Sequence, residues 1–181
     1  MADVSSWVAR WAGLIPPGEV LDLACGGGRH ARYLAALGHP VTALDRDASA
    51  LALAAGPGII AVEYDLERPG APWPFAPGRF AGIVVTNYLH RPLMAQLCAS
   101  LAPGGVLIYE TFALGNEAFG KPSNPAFLLG RGELLVHARE AGLHVLAFEE
   151  GVASGLKPAM LQRLCAGGAA FVASNAVLGP A

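Results

Sequence analysis

The amino-acid sequence predicts an α/β fold: a doubly wound, mostly parallel sheet of seven strands with helices on both faces. Three observations support this prediction. Short apolar runs alternate with segments of about ten residues that have helical periodicity, as in successive β–α–β units. The apolar runs alternate little, which is typical of strands buried on both faces. Three consecutive glycines follow the first apolar run, where such folds turn the chain sharply towards a ligand.

Length and composition favour one folded domain. The chain has 181 residues, of which 54% are hydrophobic and 14% are charged, so a sizeable core is expected and disorder is not. The formal net charge is −2 without a cluster of basic residues, which argues against a nucleic-acid partner. Three widely spaced cysteines predict a reducing, cytoplasmic location. Long uncharged stretches are broken by turns such as 103–105, so no membrane span or signal peptide is expected.

The amino-terminal helix is predicted from its cap. Ser5 or Ser6 can cap a short helix on which Trp7 and Trp11, four residues apart, share one face. Within residues 1–14 this helix is either a lid over a ligand or a hydrophobic anchor, and an anchor is the more common use of such a pair.

The later elements follow from apolar runs and from the glycines and prolines between them. Gly38 and Gly142 are expected to end helices, and Pro92 lies near the start of one. The predicted strands are residues 19–24, 41–45, 59–64, 80–86, 106–112, 145–148 and 160–165. The predicted helices after the first are residues 29–37, 48–55, 92–101 and 133–141.

Three aspartates lie at or within the first three strands of this predicted sheet. Asp22 interrupts an apolar strand, where an unpaired carboxylate is costly, so we expect it to accept hydrogen bonds from loop amides, a water or a cationic ligand group. Asp45 ends the second strand, where a carboxylate can accept from both ribose hydroxyls. Asp65 follows the third strand and can accept from an adenine amino group, while the Leu66 amide donates to the ring. Each aspartate alone could merely cap a turn, but three at successive strands indicate a nucleoside site.

These segments resemble the class I S-adenosylmethionine-dependent methyltransferases. VLDLACGGGRH is similar to their first motif, VTALDRD to their ribose motif and EYDLE to their adenine motif. FAGIVVTNYLH and LAPGGVLIYETF are similar to their fourth and fifth strands. The resemblance covers residues 15–112 well, with Ala24 in place of the first motif glycine, and the compact layout is similar to the tellurite-resistance-type methyltransferases. It implies a Rossmann-like methyltransferase fold.

The resemblance implies S-adenosylmethionine as cofactor and a single domain over residues 1–181. Residues 15–112 would bind the cofactor, and residues 113–181 would form the acceptor-side, closing half. Arg29 and His30 begin the first crossover helix, where amides and positive charge favour the methionine carboxylate, although a solvated helix face would explain both. The implied cofactor-binding residues are Asp22, Ala24, Gly26, Gly28, Arg29, Asp45, Arg46, Asp65, Leu66 and Asn87.

The methyl acceptor is expected beyond the fourth and fifth strands. His90 is the candidate general base, although an orienting or packed histidine is an equal alternative. Asn87-Tyr88 lacks the prolines of nucleobase methyltransferases, so a small molecule or a soft inorganic anion is favoured, with no metal required. The polar loop 115–125 has the length of a substrate lid or of an ordinary surface excursion. The acceptor-side candidates are Tyr88, Arg91, Tyr109 and Glu110.

Two other functions remain open from the sequence. GGGRHA also matches the G-x-G-x-x-A fingerprint of NAD(P)-dependent oxidoreductases. Asp22 weighs against that function, because its carboxylate would lie close to the pyrophosphate. A non-catalytic protein that binds S-adenosylmethionine is the second alternative, since methyl transfer need not leave a fixed catalytic signature.

Overall fold

The computed structural model describes residues 3–154 and 157–176. Its strands are β1 (Val20–Leu23), β2 (Val41–Asp45), β3 (Ile59–Glu63), β4 (Phe80–Thr86), β5 (Leu101–Phe112), β6 (His144–Ala153) and β7 (Ala159–Gly167). Its α-helices are α1 (Ser6–Trp11), α2 (Arg29–Ala36), α3 (Ala48–Ala54), α4 (Met94–Ala99) and α5 (Glu133–Glu140). Short 3-10 segments lie at Ala12–Leu14, Arg91–Leu93, Asn116–Ala118, Pro125–Phe127 and Ala173–Asn175.

The seven strands form one sheet in the order β3-β2-β1-β4-β5-β7-β6. Neighbouring strands from β3 to β5 are parallel, and β7 is antiparallel to both β5 and β6. The predicted doubly wound, mostly parallel, seven-stranded fold is therefore confirmed. Its strand order reverses between β1 and β4, and ligands of such sheets bind beyond the carboxyl ends of the strands at this point. Among the described residues, no helix is long and apolar enough to span a membrane.

The sheet separates two layers of core side chains. Alternating residues of β4 and β5 point to opposite layers: Ile83 and Leu107 pack with α4 and α5, whereas Val84 and Val106 pack with α1, α2 and α3. This two-sided burial explains why the strands read as continuous apolar runs.

Three elements differ most from the sequence-based predictions. Strand β5 begins at Leu101, because residues 102–105 form an irregularity opposite β4 and do not separate a helix from the strand. The helix predicted over 92–101 is a 3-10 turn followed by the shorter helix α4. Strand β6 runs from His144 to Ala153, longer than predicted, because it pairs with β7 along its length.

Helix α1 begins where the cap residues predict. The side chain of Ser5 accepts a hydrogen bond from the Trp7 amide at 3.1 Å. Trp7 and Trp11 are 2% and 3% exposed and pack edge to face with their ring centroids 5.6 Å apart. The Trp7 indole also donates to the Leu164 carbonyl at 3.2 Å. Both tryptophans thus anchor α1 to the sheet, and their rings lie in the core rather than over a ligand site.

Candidate functional site

The turn between β1 and α2 is built on left-handed backbone conformations. Gly26 and Gly28 have φ values of +51° and +70°, and Ala24, a residue with a side chain, has a φ of +52°. A Cβ at Gly28 would overlap the Cβ of Ala54, so this glycine permits close packing of the turn on α3. Gly28 therefore shapes the turn from below, whereas Ala24 and Gly26 face open space above it.

Asp22 lies beneath this turn. It is 1% exposed, and its Oδ2 accepts a hydrogen bond from the Ala31 amide in the first turn of α2 at 2.8 Å. Burial raises the pKa of Asp22 to about 7, against the opposing effect of the Ala31 hydrogen bond and the Arg29 charge. Asp22 thus satisfies a helix amide and does not line the cavities described below.

Asp45 connects the end of β2 to the glycine turn. Its Oδ2 accepts a hydrogen bond from the Gly26 amide at 2.7 Å, and its Oδ1 accepts one from the Asp47 amide at 3.0 Å. The carboxylate is thereby held in a fixed position at the edge of the sheet. Each oxygen keeps a further lone pair for a ligand hydroxyl.

Two cavities flank the glycine turn and share Ala24. The first, here the glycine-loop cavity, has a volume of about 690 Å³ and is lined by residues 24–27 and by Arg29, His30, Arg32, Leu53, Thr86 and Asn87. The second, here the acidic cavity, has a volume of about 170 Å³ and is lined by Ala24, Leu44, residues 45–46, residues 64–67 and Tyr88. Eight of the ten residues that the resemblance implied for the cofactor line these cavities: Gly26, Arg29 and Asn87 the first, Asp45, Arg46, Asp65 and Leu66 the second, and Ala24 both.

The other two, Asp22 and Gly28, act from beneath, through the helix amide and the packing on α3. The structure therefore brings the strand-end residues together around one turn, as expected for the carboxyl edge of a parallel sheet.

Negative charges dominate the acidic cavity. Asp65 is exposed, and its Oδ1 accepts a hydrogen bond from the Glu67 amide at 3.0 Å, so one oxygen caps a turn. Arg46 and Glu67 form an ion pair at 3.8 Å. Tyr88, which we expected on the acceptor side, lines this cavity instead, and burial together with the Glu67 charge raises the pKa of its phenol. The cavity offers carboxylate oxygens to a ligand that carries N–H and O–H groups.

The glycine-loop cavity has the opposite character. Arg29 lines it, whereas Arg32 donates to the carbonyls of Gly27 and Leu53 at 2.7 and 2.6 Å and so fixes the turn against α3. Among the described residues that line this cavity, none is an aspartate or a glutamate. The cavity therefore suits an anionic or acceptor-rich part of a ligand.

His30 differs from both interpretations of the sequence. It is 1% exposed, so it does not lie on a solvated helix face. Burial, followed by the Arg29 charge, lowers the pKa of His30 to about 4, so the ring is neutral and carries no charge for a carboxylate. Its two nitrogens contact the Ser5 amide at 3.2 Å and the Thr86 hydroxyl at 3.3 Å.

His90 and Arg91, the other two acceptor-side candidates after β4, lie outside the two cavity linings. His90 is half-buried, and its carbonyl accepts from the Leu93 amide at 3.1 Å. Arg91 forms a two-pronged ion pair with Glu133 at 2.6 and 2.9 Å and also donates to the carbonyls of Ala126 and Leu128. Arg91 thus holds the segment before α5 in place, and its guanidinium is already engaged.

Tyr109 and Glu110 also have partners within the protein. The Tyr109 side chain is buried in the α4–α5 layer, and its hydroxyl donates to the Tyr88 carbonyl at 2.9 Å. Glu110 accepts from Arg163 at 2.6 Å and from the Ser5 hydroxyl at 2.9 Å. Neither side chain lines the cavities, which differs from the expectation that both line the acceptor side. Alternation along β5 sends them to opposite faces of the sheet.

Hydrogen bonds fix the loop 115–125 within itself and to neighbouring segments. Asn116 is buried, its Nδ2 donates to the Pro122 carbonyl at 2.9 Å, and its Oδ1 accepts from the Met160 amide at 3.1 Å. The Leu114 amide donates to the Leu129 carbonyl at 2.9 Å. These bonds hold the loop at its base and in its middle.

Several lining residues were not singled out from the sequence. Arg32 lies three residues after Arg29, a spacing that places both on one helix face and could have indicated it. Leu53 is 70% exposed and carries no comparable signal, because only the packing of α3 against the turn brings it to the cavity. Within residues 3–154 and 157–176, no group of three or more His, Cys, Asp or Glu side chains is placed to hold a metal ion.

A known protein family matches the part of the chain that contains this site. The family described as "Methyltransferase domain" matches residues 20–105, which contain the glycine turn, Asp45 and Asp65. A comparison with curated protein sequences finds no match.

Solved structures share the fold. TehB from Haemophilus influenzae superposes with a TM-score of 0.74 at 20% identity over 91% of this chain, which spans 62% of the TehB chain. An S-adenosylmethionine-dependent methyltransferase from Mesorhizobium loti gives a TM-score of 0.69 at 20% identity, covering 91% of this chain and 98% of that one. The 1,6-didemethyltoxoflavin-N1-methyltransferase of Burkholderia thailandensis gives 0.65 at 22% identity, covering 90% and 76%. Residues 20–105 thus match the methyltransferase-domain family, and the chain shares the fold of S-adenosylmethionine-dependent methyltransferases.

Proposed function

We propose that this protein transfers the methyl group of S-adenosylmethionine to a small-molecule acceptor. One observation carries the proposal: the carboxylate of Asp45 lines the acidic cavity and accepts from the Gly26 amide, which lines the glycine-loop cavity. Asp45 therefore stands where a ribose would join two chemically different ends of one ligand.

The residues present fit such a ligand. Asp65 and the Leu66 amide suit the donor and acceptor atoms of adenine, and Asp45 suits the ribose hydroxyls. Arg29 suits the methionine carboxylate, for which the acidic cavity has no equivalent open cation, because Arg46 is paired with Glu67. Asp22 supports the turn through α2 and contacts no part of the ligand in this proposal.

The chemistry comes mainly from the ligand. When bound, S-adenosylmethionine supplies a sulfonium methyl, and its transfer to a lone pair breaks the S–CH3 bond and leaves the electron pair on sulfur. The protein then needs to align an acceptor and exclude water. The small-molecule acceptor is supported by structural neighbours described with such acceptors, including 1,6-didemethyltoxoflavin and geranyl diphosphate. A cytoplasmic location, as the cysteine usage predicts, is part of the proposal.

Calorimetric titration with S-adenosylhomocysteine, NAD+ and NADP+ tests the proposal against its alternatives. We expect S-adenosylhomocysteine to bind at least about tenfold more tightly than either nicotinamide nucleotide. Tighter binding of NAD+ or NADP+ would favour the oxidoreductase. A metabolite panel then follows, with release of S-adenosylhomocysteine from S-adenosylmethionine as the readout. Binding without release on any member of the panel would favour a non-catalytic binding protein.

A further inference from the structure

A chain of three polar groups links the amino-terminal segment to the glycine-loop cavity. The Ser5 amide donates to Nε2 of His30 at 3.2 Å. Nδ1 of His30 lies 3.3 Å from the Thr86 hydroxyl oxygen. His30 is buried, whereas Thr86 is half-buried at the end of β4 and lines the cavity. The middle group of the chain is therefore shielded from water, and the last group reaches the ligand space.

The Ser5 amide determines the direction of both hydrogen bonds among these three groups. A backbone amide can only donate, so Nε2 of His30 must be the unprotonated nitrogen. The ring proton of the neutral imidazole then resides on Nδ1, which donates to the Thr86 oxygen. Burial supports the neutral ring, because it lowers the pKa of His30 to about 4.

The Thr86 hydroxyl proton must consequently point away from His30. In the part of the chain that the structure describes, the Thr86 hydroxyl makes no other side-chain hydrogen bond. We infer that Thr86 is a specificity-determining residue whose hydroxyl donates into the glycine-loop cavity, to an anionic oxygen or sulfur group on the methyl acceptor. This inference rests on the proposed function, and it gives the acceptor a chemical class.

The other polar groups around the cavity agree with that class. Arg29 contributes positive charge, and the Arg32 guanidinium is directed to backbone carbonyls. Burial raises the pKa of Cys25 to about 12, and its thiol donates to the Gly26 carbonyl, so it adds no negative charge. A cationic acceptor would find no carboxylate among the described lining residues to replace its hydration. An anionic acceptor would find the Thr86 hydroxyl as a donor, in a cavity that the Arg29 charge also lines.

Thiocyanate serves as the anionic probe, and methylammonium at equal ionic strength serves as its cationic counterpart. Each is titrated into wild-type protein and into Thr86→Val and Thr86→Ser, with and without S-adenosylhomocysteine. We expect thiocyanate to bind wild-type protein and Thr86→Ser, and Thr86→Val to bind it at least about tenfold more weakly. Equal binding to Thr86→Val and wild-type protein, preferential binding of methylammonium, or no thiocyanate binding to wild-type protein would each overturn the inference.

Substitution of Ser5 independently tests the direction of the hydrogen bonds that join Ser5, His30 and Thr86. Ser5 has a φ of −56°, which proline tolerates, so Ser5→Pro removes the amide donor without changing the backbone angle. Ser5→Ala removes the cap hydroxyl in the same way but keeps the amide. Nitrogen-15 NMR, with His30→Asn for assignment, should show the Nδ1-protonated ring in wild-type protein and Ser5→Ala. Ser5→Pro should shift the ring towards the other tautomer and weaken thiocyanate binding.

An Nε2-protonated His30 in wild-type protein would overturn the inference, whatever the anion result. Failure of the proposed function gives a different pattern. In that case S-adenosylhomocysteine does not bind, while the tautomer and the thiocyanate preference, both measured without it, are unaffected.

Discussion

The two cavities beside Ala24 differ in the groups that they offer a ligand. The acidic cavity presents the carboxylates of Asp45, Asp65 and Glu67, and its one arginine is paired. The glycine-loop cavity presents Arg29, a neutral His30 and backbone of the turn, with no carboxylate among its described lining residues. In the proposed function, a single ligand is recognised by acceptors at one end and by donors at the other. Separate substitutions can therefore test each end.

The largest expected effect is on protein stability and concerns Asp22, which is buried beneath the glycine turn. Burial raises the pKa of Asp22 from 3.8 to about 7. The stability linked to this group is fully present below about pH 3.8 and is lost as the pH rises through about 7. A shift of roughly three units corresponds to at most about 4 kcal/mol. We expect Asp22→Asn, which keeps an acceptor for the Ala31 amide, to be more stable than wild-type protein at about pH 8.

Denaturant unfolding at about pH 4.5 and about pH 8 measures this difference. Asp47 provides a control of opposite sign. Its carboxylate caps α3 by accepting from Ser49, and those bonds lower its pKa, so its contribution is present at neutral pH and lost on acidification. Asp47→Asn should therefore be less stable than wild-type protein at about pH 8. A fall in stability of Asp22→Asn at that pH would mean that the Asp22 charge is needed in the fold.

Asp45→Ala should have the largest effect on ligand affinity. The substitution removes a charged acceptor from the junction of the two cavities, which typically costs about 1.5–3 kcal/mol, or roughly ten- to a hundredfold in affinity. Titration with S-adenosylhomocysteine measures the loss. Asp45→Asn is the matched control, because its amide oxygen can still accept from the Gly26 amide. Unchanged affinity in a folded Asp45→Ala variant would remove Asp45 from the site.

Arg29→Met tests the role of the glycine-loop cavity in ligand binding. We expect about a tenfold loss of affinity for S-adenosylhomocysteine, since the interaction is charge-assisted but only half-buried. Binding of 5′-methylthioadenosine, which lacks the amino-acid group, should be unaffected. Arg10→Met is the control for a general change in charge, because Arg10 lies on α1 and pairs with Glu149 away from both cavities. Similar losses for the two ligands would contradict the assignment of Arg29 to the carboxylate.

Asp65→Ala tests the role of the acidic cavity, and we expect a smaller effect on ligand affinity. One oxygen of Asp65 already caps a turn, and the side chain is exposed, so we expect a loss of roughly fivefold for S-adenosylhomocysteine. The affinity for S-inosylhomocysteine, in which an oxygen replaces the adenine amino group, should change less. Equal losses for both ligands would assign Asp65 to the support of the turn.

The same contrast separates what the sequence could predict from what it could not. The acidic cavity was predictable, because Asp45 ends β2, Asp65 closely follows β3, and parallel strands bring their ends to one edge. The glycine-loop cavity depends on contacts between distant segments: Ser5 meets His30 across 25 positions, and His30 meets Thr86 across 56. A helical pattern shows that His30 can be buried, but not which nitrogen partners it finds.

The acceptor-side residues were the least predictable for a related reason. Strand β5 is apolar on both faces, so periodicity does not reveal that Tyr109 points to the α4–α5 layer and Glu110 to Ser5 and Arg163. The ion pair of Arg91 with Glu133 joins segments 42 positions apart and also has no local signal. Short-range patterns thus determine which residues reach the strand ends, whereas tertiary pairing determines which of them remain free for a ligand.

His90→Ala has the smallest expected effect on cofactor affinity and decides the role of the segment after β4. The His90 side chain lines neither cavity, so we expect S-adenosylhomocysteine affinity to change by less than about twofold. Turnover on an acceptor from the metabolite panel is the second readout. A residue that serves only the acceptor contributes once the methyl is in transit, so its substitution lowers kcat and leaves cofactor binding intact. His90→Gln is the control that keeps a hydrogen-bonding side chain without a comparable base. Loss of turnover in both variants would support a base, loss in His90→Ala alone would support an orienting role, and unchanged turnover in both would leave His90 a packing residue.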